Sequence, residues 1–348
     1  MKQCSNPEIT VLMTTYNGKA FIRECIESVL CQSYSNFEFL IIDDSSDDET
    51  VSIIQSYRDS RIKLHENMEN IGQAASLNKG IILAKGDYIA RLDQDDVCLV
   101  RRLEEQLLFL KKNIHVSLVC SYEHTIKEDG KYVRSWKSNI DGYGGFLGSI
   151  LLGLCPVWHP SVMYRREKVI GLGLYEPKYS PAEDYQLWSK FALNKQQAQV
   201  IPQFHLLQRI HGQRQSILGR EKQWSSTKQA HYESIKYFNA SVAEDLADLL
   251  ILDSKISKQI FNKKDFISLC IKLEKLLFEI AEKIDLNDID KRSLHNTIYK
   301  RMGFGIKWCK YMSALPKSIF GIFVLLLSPR LNRVFLSSCK NYFCYFKQ

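Results

Sequence analysis

The sequence predicts an α/β domain built on a mostly parallel sheet with helices on both faces, continued by a helical C-terminal extension. Three observations predict it. Short apolar, β-branched runs alternate with segments whose apolar residues recur at helical spacing. Those runs end in polar or acidic clusters, which suits an open α/β sheet, where ligands gather at the carboxyl ends of the strands. Beyond Gln213 the strand pattern stops, and the chain to about Asp290 reads as helical throughout, with Leu269, Leu273, Leu276, Leu277, Ile280 and Ile284 on one face.

In chain order, Ile9 to Thr15 (ITVLMTT) has the pattern of a buried strand, and Tyr16-Asn17-Gly18 supplies its turn. Phe21, Ile22, Cys25, Ile26, Val29 and Leu30 then fall at helical spacing. Phe37 to Ile42 (FEFLII) repeats the strand pattern and stops in Asp43-Asp44-Ser45-Ser46-Asp47-Asp48, residues suited to capping a following helix. A short strand is expected near Arg61 to His65, and Asn70-Ile71-Gly72 leads into a helix through Ala84. The next strand, from Asp87, runs into Ala90-Arg91-Leu92-Asp93-Gln94-Asp95-Asp96. Val97 to Lys112 reads as a helix with Leu99, Leu103, Leu107 and Leu110 on one face, and Ser138 to Leu154 reads as a loop.

Asp93, Asp95 and Asp96 place three carboxylates at one strand end. Such a cluster repels itself unless a cation joins it, and a hard divalent ion with a diphosphate is the natural candidate. Taken alone the run is weak, because Asp also tolerates turns and caps helices. The context upstream and downstream strengthens it. Read together, ITVLMTTYNG, FEFLIIDDSSDDET, ENMENIGQAASLNKG and AKGDYIARLDQDD resemble the family 2 glycosyltransferases of the GT-A fold. His159-Pro160-Ser161-Val162-Met163-Tyr164 is similar to that family's strand on the acceptor side. Glu183-Asp184-Tyr185-Gln186-Leu187-Trp188 resembles its Glu-Asp catalytic segment, and Arg209-Ile210-His211 the motif that closes the domain. The resemblance covers about residues 8 to 214.

The resemblance implies a role for each matching side chain. Thr14 and Tyr16 would line the nucleotide pocket, with the Tyr16 ring stacking on a base. Asp44 would accept a hydrogen bond from the base, as in members that use uridine nucleotides, and Asp93 would face the ribose. Asp95 would bind Mg²⁺ or Mn²⁺ bridging the diphosphate, and His211 could complete that metal site, since some GT-A enzymes use a late histidine that way. Asp184 would be the general base that deprotonates an acceptor hydroxyl, with Glu183 and His159 in the donor or acceptor pocket. Family members invert the anomeric configuration in a single displacement, and members commonly build bacterial surface polysaccharides on glycan or lipid-linked acceptors from a nucleotide-sugar donor, here a UDP-sugar.

Plainer roles compete with these. Glu183-Asp184 also suits the acidic first turn of a helix, which the macrodipole favours. His159 suits a hydrogen-bonded core histidine, and Asp43-Asp44 a helix cap. Two other functions are set against transfer. A nucleotidyltransferase would need a Gly-rich, cationic triphosphate loop after the first strand, and Tyr16-Asn17-Gly18-Lys19 is poor in both. A non-catalytic scaffold binding nucleotide or glycan would not need Asp93, Asp95 and Asp184 intact.

The 348 residues leave room for a catalytic domain over 1–214, a helical region over 215–290 and a tail over 291–348. The 45% hydrophobic content is ordinary for a globular chain. The first strand starts close to Met1 with no secretory pattern between, and the ten cysteines include no CxxC, so a cytoplasmic setting with reduced thiols is expected. Net charge is +8, but its distribution says more. The tail from Lys291 holds eleven Lys and Arg and no Asp or Glu, so the preceding residues carry a net −3. Phe304, Trp308, Tyr311 and the Tyr342-Phe343-Cys344-Tyr345-Phe346 end accompany that charge. This combination suits an anionic membrane surface on the inner face of the cell membrane, or else helices docking on the protein. The apolar run Ile319 to Leu327 is too short to span a bilayer, which needs about 20 residues. No nucleic-acid recognition motif accompanies the basic charge.

Overall fold

A computed structural model describes residues 6–212, 219–238 and 283–301, with single positions at 243, 276, 279 and 280. The first half alternates as expected: β1 (Ile9–Thr15), α1 (Ile22–Leu30), β2 (Phe37–Asp43), α2 (Thr50–Gln55), β3 (Ile62–Glu66), α3 (Gln73–Leu83) and β4 (Tyr88–Asp93). There follow β5 (Val97–Cys98), α4 (Arg102–Lys112), β6 (Val116–Ile126), β7 (Tyr132–Trp136) and α5 (Gly142–Leu151). The described elements close with β8 (Met163–Arg165), α6 (Arg166–Gly171), α7 (Glu183–Leu193), β9 (Gln197–Arg209), α8 (Arg220–Lys236) and α9 (Asp288–Arg301).

The strands form one sheet in the order β3-β2-β1-β4-β8-β6-β9-β5, with β7 paired to β6. The β3-β2-β1-β4 half is parallel throughout. Beyond β4 the sheet turns mixed, with β8 antiparallel to both β4 and β6, and β9 parallel to β6. Strand alternation divides the core between the two faces. Val11, Met13, Phe39 and Ile41 pack with Ile26, Leu103 and Leu107 on one side. Leu12, Leu40 and Ile42 pack with Leu77, Ile81, Phe146 and Trp188 on the other. This is the two-sided burial that near-continuous apolar strands require.

Two expectations are corrected. Val97 and Cys98 are not the start of a helix, because they pair with Leu207 and Leu206 of β9, and the helix begins only at Arg102. A partner strand more than a hundred residues away outweighs the local periodicity. Ser138 to Leu154 is not a loop, since α5 occupies Gly142–Leu151 and is buried from Tyr143 to Leu151.

The glycines of α5 explain both the misreading and the fold. A Cβ on Gly144 would stand 2.0 Å from the Asp290 carbonyl oxygen of α9, and one on Gly148 would stand 3.2 Å from Thr297 Cβ. The Gly144 N–H donates to Asp290 Oδ1 at 3.3 Å, and Ser293 Oγ donates to the Asp141 carbonyl. Gly144→Val is therefore expected to wedge the two helices apart and lower stability by about 1–3 kcal/mol. Thermal unfolding, with proteolysis of the C-terminal part as a second readout, checks this.

Leu276, Ile280 and Ile284 of the expected apolar face are buried. Leu269, Leu273 and Leu277 lie outside the described residues, as does the chain beyond 301 with its aromatic and apolar segments. Among the described residues no helix is long and apolar enough to cross a membrane. The described cysteines, Cys25, Cys31, Cys98, Cys120 and Cys155, are free thiols.

Candidate active site

A cavity of about 1120 Å³ opens at the carboxyl ends of β1, β2 and β4. Thr14, Tyr16, Asp44, Asp93, Asp95, His159, Glu183, Asp184 and His211, the residues singled out from the sequence, all line it. The parallel half of the sheet supplies the first five. The mixed half supplies the others from the short 3-10 turn His159–Ser161, the first turn of α7 and the end of β9. Two residues past 214, Gly219 and Gln223, also reach the cavity.

On the β1 side, Gln94 and Tyr16 hold each other. Gln94 Oε1 accepts from the Tyr16 N–H at 2.9 Å, and Gln94 Nε2 donates to the Tyr16 carbonyl at 3.1 Å. Gly18 makes this approach possible, since a Cβ there would stand 2.5 Å from Gln94 Oε1. The Tyr16 side chain is left nearly half exposed beside the opening. Asp44 is 4% exposed and binds the entry to α3. Its Oδ1 accepts from Asn67 Nδ2 at 2.8 Å, Ser76 Oγ at 2.9 Å and the Ile71 N–H at 3.0 Å, while Oδ2 accepts from the Gly72 N–H at 2.8 Å. Oδ2, with one such bond, retains acceptor capacity.

The acidic run divides its labour. Asp93, Asp95 and Asp96 bring carboxylate oxygens within 4.8 Å of one another, an oxygen-rich set that fits a hard divalent cation. Asp96 is fully buried and accepts the Arg209 N–H at 2.9 Å, so it fastens the end of β9. Arg209, also buried, donates from Nε to the Asp95 carbonyl at 3.1 Å and from Nη1 to the Glu128 carbonyl at 2.9 Å. That knot delivers His211, whose Nε2 lies 2.7 Å from Asp95 Oδ2, with its ring against Phe21. Asp95 Oδ2 and His211 Nε2 thus lie side by side at the cavity, an oxygen and a nitrogen that could both serve as ligands to a divalent ion.

Asp184 stands half-buried at the start of α7, its Oδ1 accepting from the Tyr185 N–H at 2.7 Å. Burial raises its carboxyl above the usual range, opposed by that N–H and by Arg91 and reinforced by Asp93. The neighbouring Glu183 is pushed further, to about 7, by burial first and by Asp184 second. His159 keeps a structural partner, Nε2 lying 2.9 Å from the Tyr175 hydroxyl, and burial with nearby Arg91 holds it neutral. At the rim Trp158 stacks obliquely on Trp136 at 5.3 Å, and the Arg134 guanidinium lies 4.3 Å from the Trp136 ring centre.

The Glu183 shift has a stability consequence with a defined sign. A folded-state pKa of about 7 against an ordinary 4.5 means ionisation costs more in the fold than in the unfolded chain. The cost is absent below pH 4.5, grows as pH rises towards 7 and is constant above. Glu183→Gln, permanently neutral, is expected to be more stable than the wild type at pH 8 by on the order of 3 kcal/mol and to match it near pH 4. Thermal unfolding at both pH values checks it.

Sequence reasoning missed Arg91, Gln94 and the rim residues Arg134 and Trp158. Arg91 left a trace, a cation between Ala90 and Leu92 inside an apolar stretch of the strand. Gln94 and the rim left none, because their partners lie far along the chain.

Residues 10–173 match glycosyl transferase family 2. The chain is 30% identical over 244 residues to an uncharacterized glycosyltransferase of Methanocaldococcus jannaschii, spanning 68% of this chain and 83% of that one. It is 29% identical over 259 residues to an uncharacterized glycosyltransferase of Haemophilus influenzae, spanning 71% and 78%. Crystal structures of S. aureus TarS 1-349 in complex with UDP and with UDP-GlcNAc resemble it with TM-scores of 0.56 and 0.57 at 16% identity, over 85% of this chain and 92% of theirs. That likeness speaks to the fold, and the sequence relatives speak to the activity. The chain belongs to glycosyl transferase family 2 and is a glycosyltransferase of the GT-A fold.

Proposed function

We propose that this glycosyltransferase is inverting and metal-dependent, and that it moves a sugar from a UDP-sugar to a glycan or lipid-linked acceptor in bacterial surface polysaccharide synthesis. The observation that carries the reading is the convergence on one cavity of a nucleotide side (Thr14, Tyr16, Asp44, Asp93), a cation-binding pair (Asp95, His211) and a carboxylate on the opposite half of the sheet (Asp184). One carboxylate base and one leaving group suffice for a single displacement, which inverts the anomeric centre. A bound Mn²⁺ or Mg²⁺ would neutralise charge that develops on the departing diphosphate.

The residues' own work is separable. Tyr16 and Asp44 hold the base, Asp44 through the lone-pair capacity left on Oδ2. Asp93 faces the ribose, and Asp184 accepts the proton of the attacking hydroxyl. Trp136 and Trp158 offer aromatic faces to the acceptor at the rim, where apolar ring bodies cover sugar C–H groups. The donor class draws support from TarS, a protein of the same fold solved with UDP-GlcNAc. The basic C-terminal tail would hold the enzyme to the cytoplasmic membrane surface, where a lipid-linked acceptor resides.

Calorimetric titration of UDP, GDP and CDP into the full chain, with and without Mn²⁺, tests this reading. Binding that is selective for UDP and requires the metal is the expected result. Failure of every nucleotide to bind would overturn it.

A further inference from the structure

Arg91 lies on β4 two residues before Asp93, so both side chains leave the same face of the strand. It is 2% exposed, and its Nη2 pairs with Asp93 Oδ1. Its Nε and Nη1 are buried with no hydrogen-bond partner. A guanidinium has five N–H donors and stays charged, so leaving most of that fork unbonded in the interior is costly. Glu183 repeats the pattern with opposite sense. It is 3% exposed, and its Oε2 is buried without a partner. Both residues line the same cavity, and the Arg91 charge is felt at Glu183.

A group that only donates and a carboxyl that accepts, both unsatisfied in one cavity, are complementary to a hydroxyl, which accepts and donates at once. Their place is as informative as their chemistry. Arg91 is tied to Asp93 on the nucleotide side, and Glu183 adjoins Asp184, so together they bridge the region between leaving group and base. We propose that Arg91 and Glu183 form the subsite that reads a hydroxyl of the transferred sugar, with Arg91 donating to the hydroxyl oxygen and Glu183 accepting its hydrogen. The inference rests on the donor reading given above and assigns specificity within it.

The test uses the full chain with Mn²⁺ and compares, within each variant, the affinity for UDP with that for UDP-glucose, UDP-galactose and UDP-N-acetylglucosamine. The ratio isolates what the sugar adds and cancels any disturbance of Asp93. In the wild type one sugar should add at least about tenfold, and Arg91→Met and Glu183→Gln should each remove about tenfold or more of the sugar's contribution. The double variant should lose no more than the larger single loss, because one hydroxyl serves both groups.

An unchanged ratio in Arg91→Met would overturn the inference, and so would a wild type in which no sugar adds affinity to UDP. The UDP reading survives both of those results, whereas absence of any UDP binding removes it and the inference together. If Arg91→Met fails to fold, Arg91→Lys, which keeps the charge beside Asp93 and loses the fork, is measured in its place, and an undiminished ratio there overturns the inference.

Discussion

Asp184→Asn is expected to lower the rate of sugar transfer by about a thousandfold while leaving nucleotide binding intact, because a positioned base contributes roughly 10²–10⁴-fold. The asparagine keeps the size of the side chain and its bond from the Tyr185 N–H, and loses only the capacity to take a proton. The pH profile adds a second signature. Burial raises the Asp184 carboxyl, so wild-type activity should fall with decreasing pH through a limb above the ordinary carboxylate range, as the base becomes protonated. In Asp184→Asn the residual rate should lose that limb. UDP release at saturating donor across pH 4 to 9 measures both effects, and unchanged transfer in the variant would remove Asp184 from the mechanism.

Asp95→Ala is expected to abolish the Mn²⁺ dependence of UDP binding and to lower turnover by roughly a thousandfold, the upper range for losing one stabiliser of developing charge. The wild type treated with a chelator should behave the same way and recover when metal is restored. Asp96→Ala supplies the contrast. Asp96 Oδ1 accepts the Arg209 N–H, so its loss should reduce thermal stability before it reduces metal affinity. Parallel titrations of Mn²⁺ and melting curves for the two variants separate a ligand from a fastener. Equal loss of metal affinity in both would show that the acidic run acts as a unit.

How much of this was visible in the sequence depended on the range of the interactions involved. β1 and β2 declared themselves because both of their faces are buried, and a continuous apolar run followed by a turn is a local signal. The acidic strand end and the Glu-Asp step were equally local. The sharing of tasks within the acidic run was not. Asp96 looks no different from Asp95 until Arg209 arrives from the end of β9, and Val97-Cys98 looks helical until β9 pairs with it. The glycines of α5 misled for the same reason. Glycine ordinarily breaks helices, and the helix that makes use of these four, α9, lies far along the chain.

The crossing of α5 and α9 also sets a timetable for synthesis. Gly144 and Asp290 are 146 residues apart in the chain, so at ordinary elongation rates of about 5–20 residues per second α5 emerges roughly seven to thirty seconds before its cover exists. Through that interval the catalytic sheet can form, yet the helix that leads into Cys155 and Trp158 stays uncovered on its glycine face. The packing on the glycine face of α5 is therefore completed late in synthesis, well after the strands of the sheet have been made.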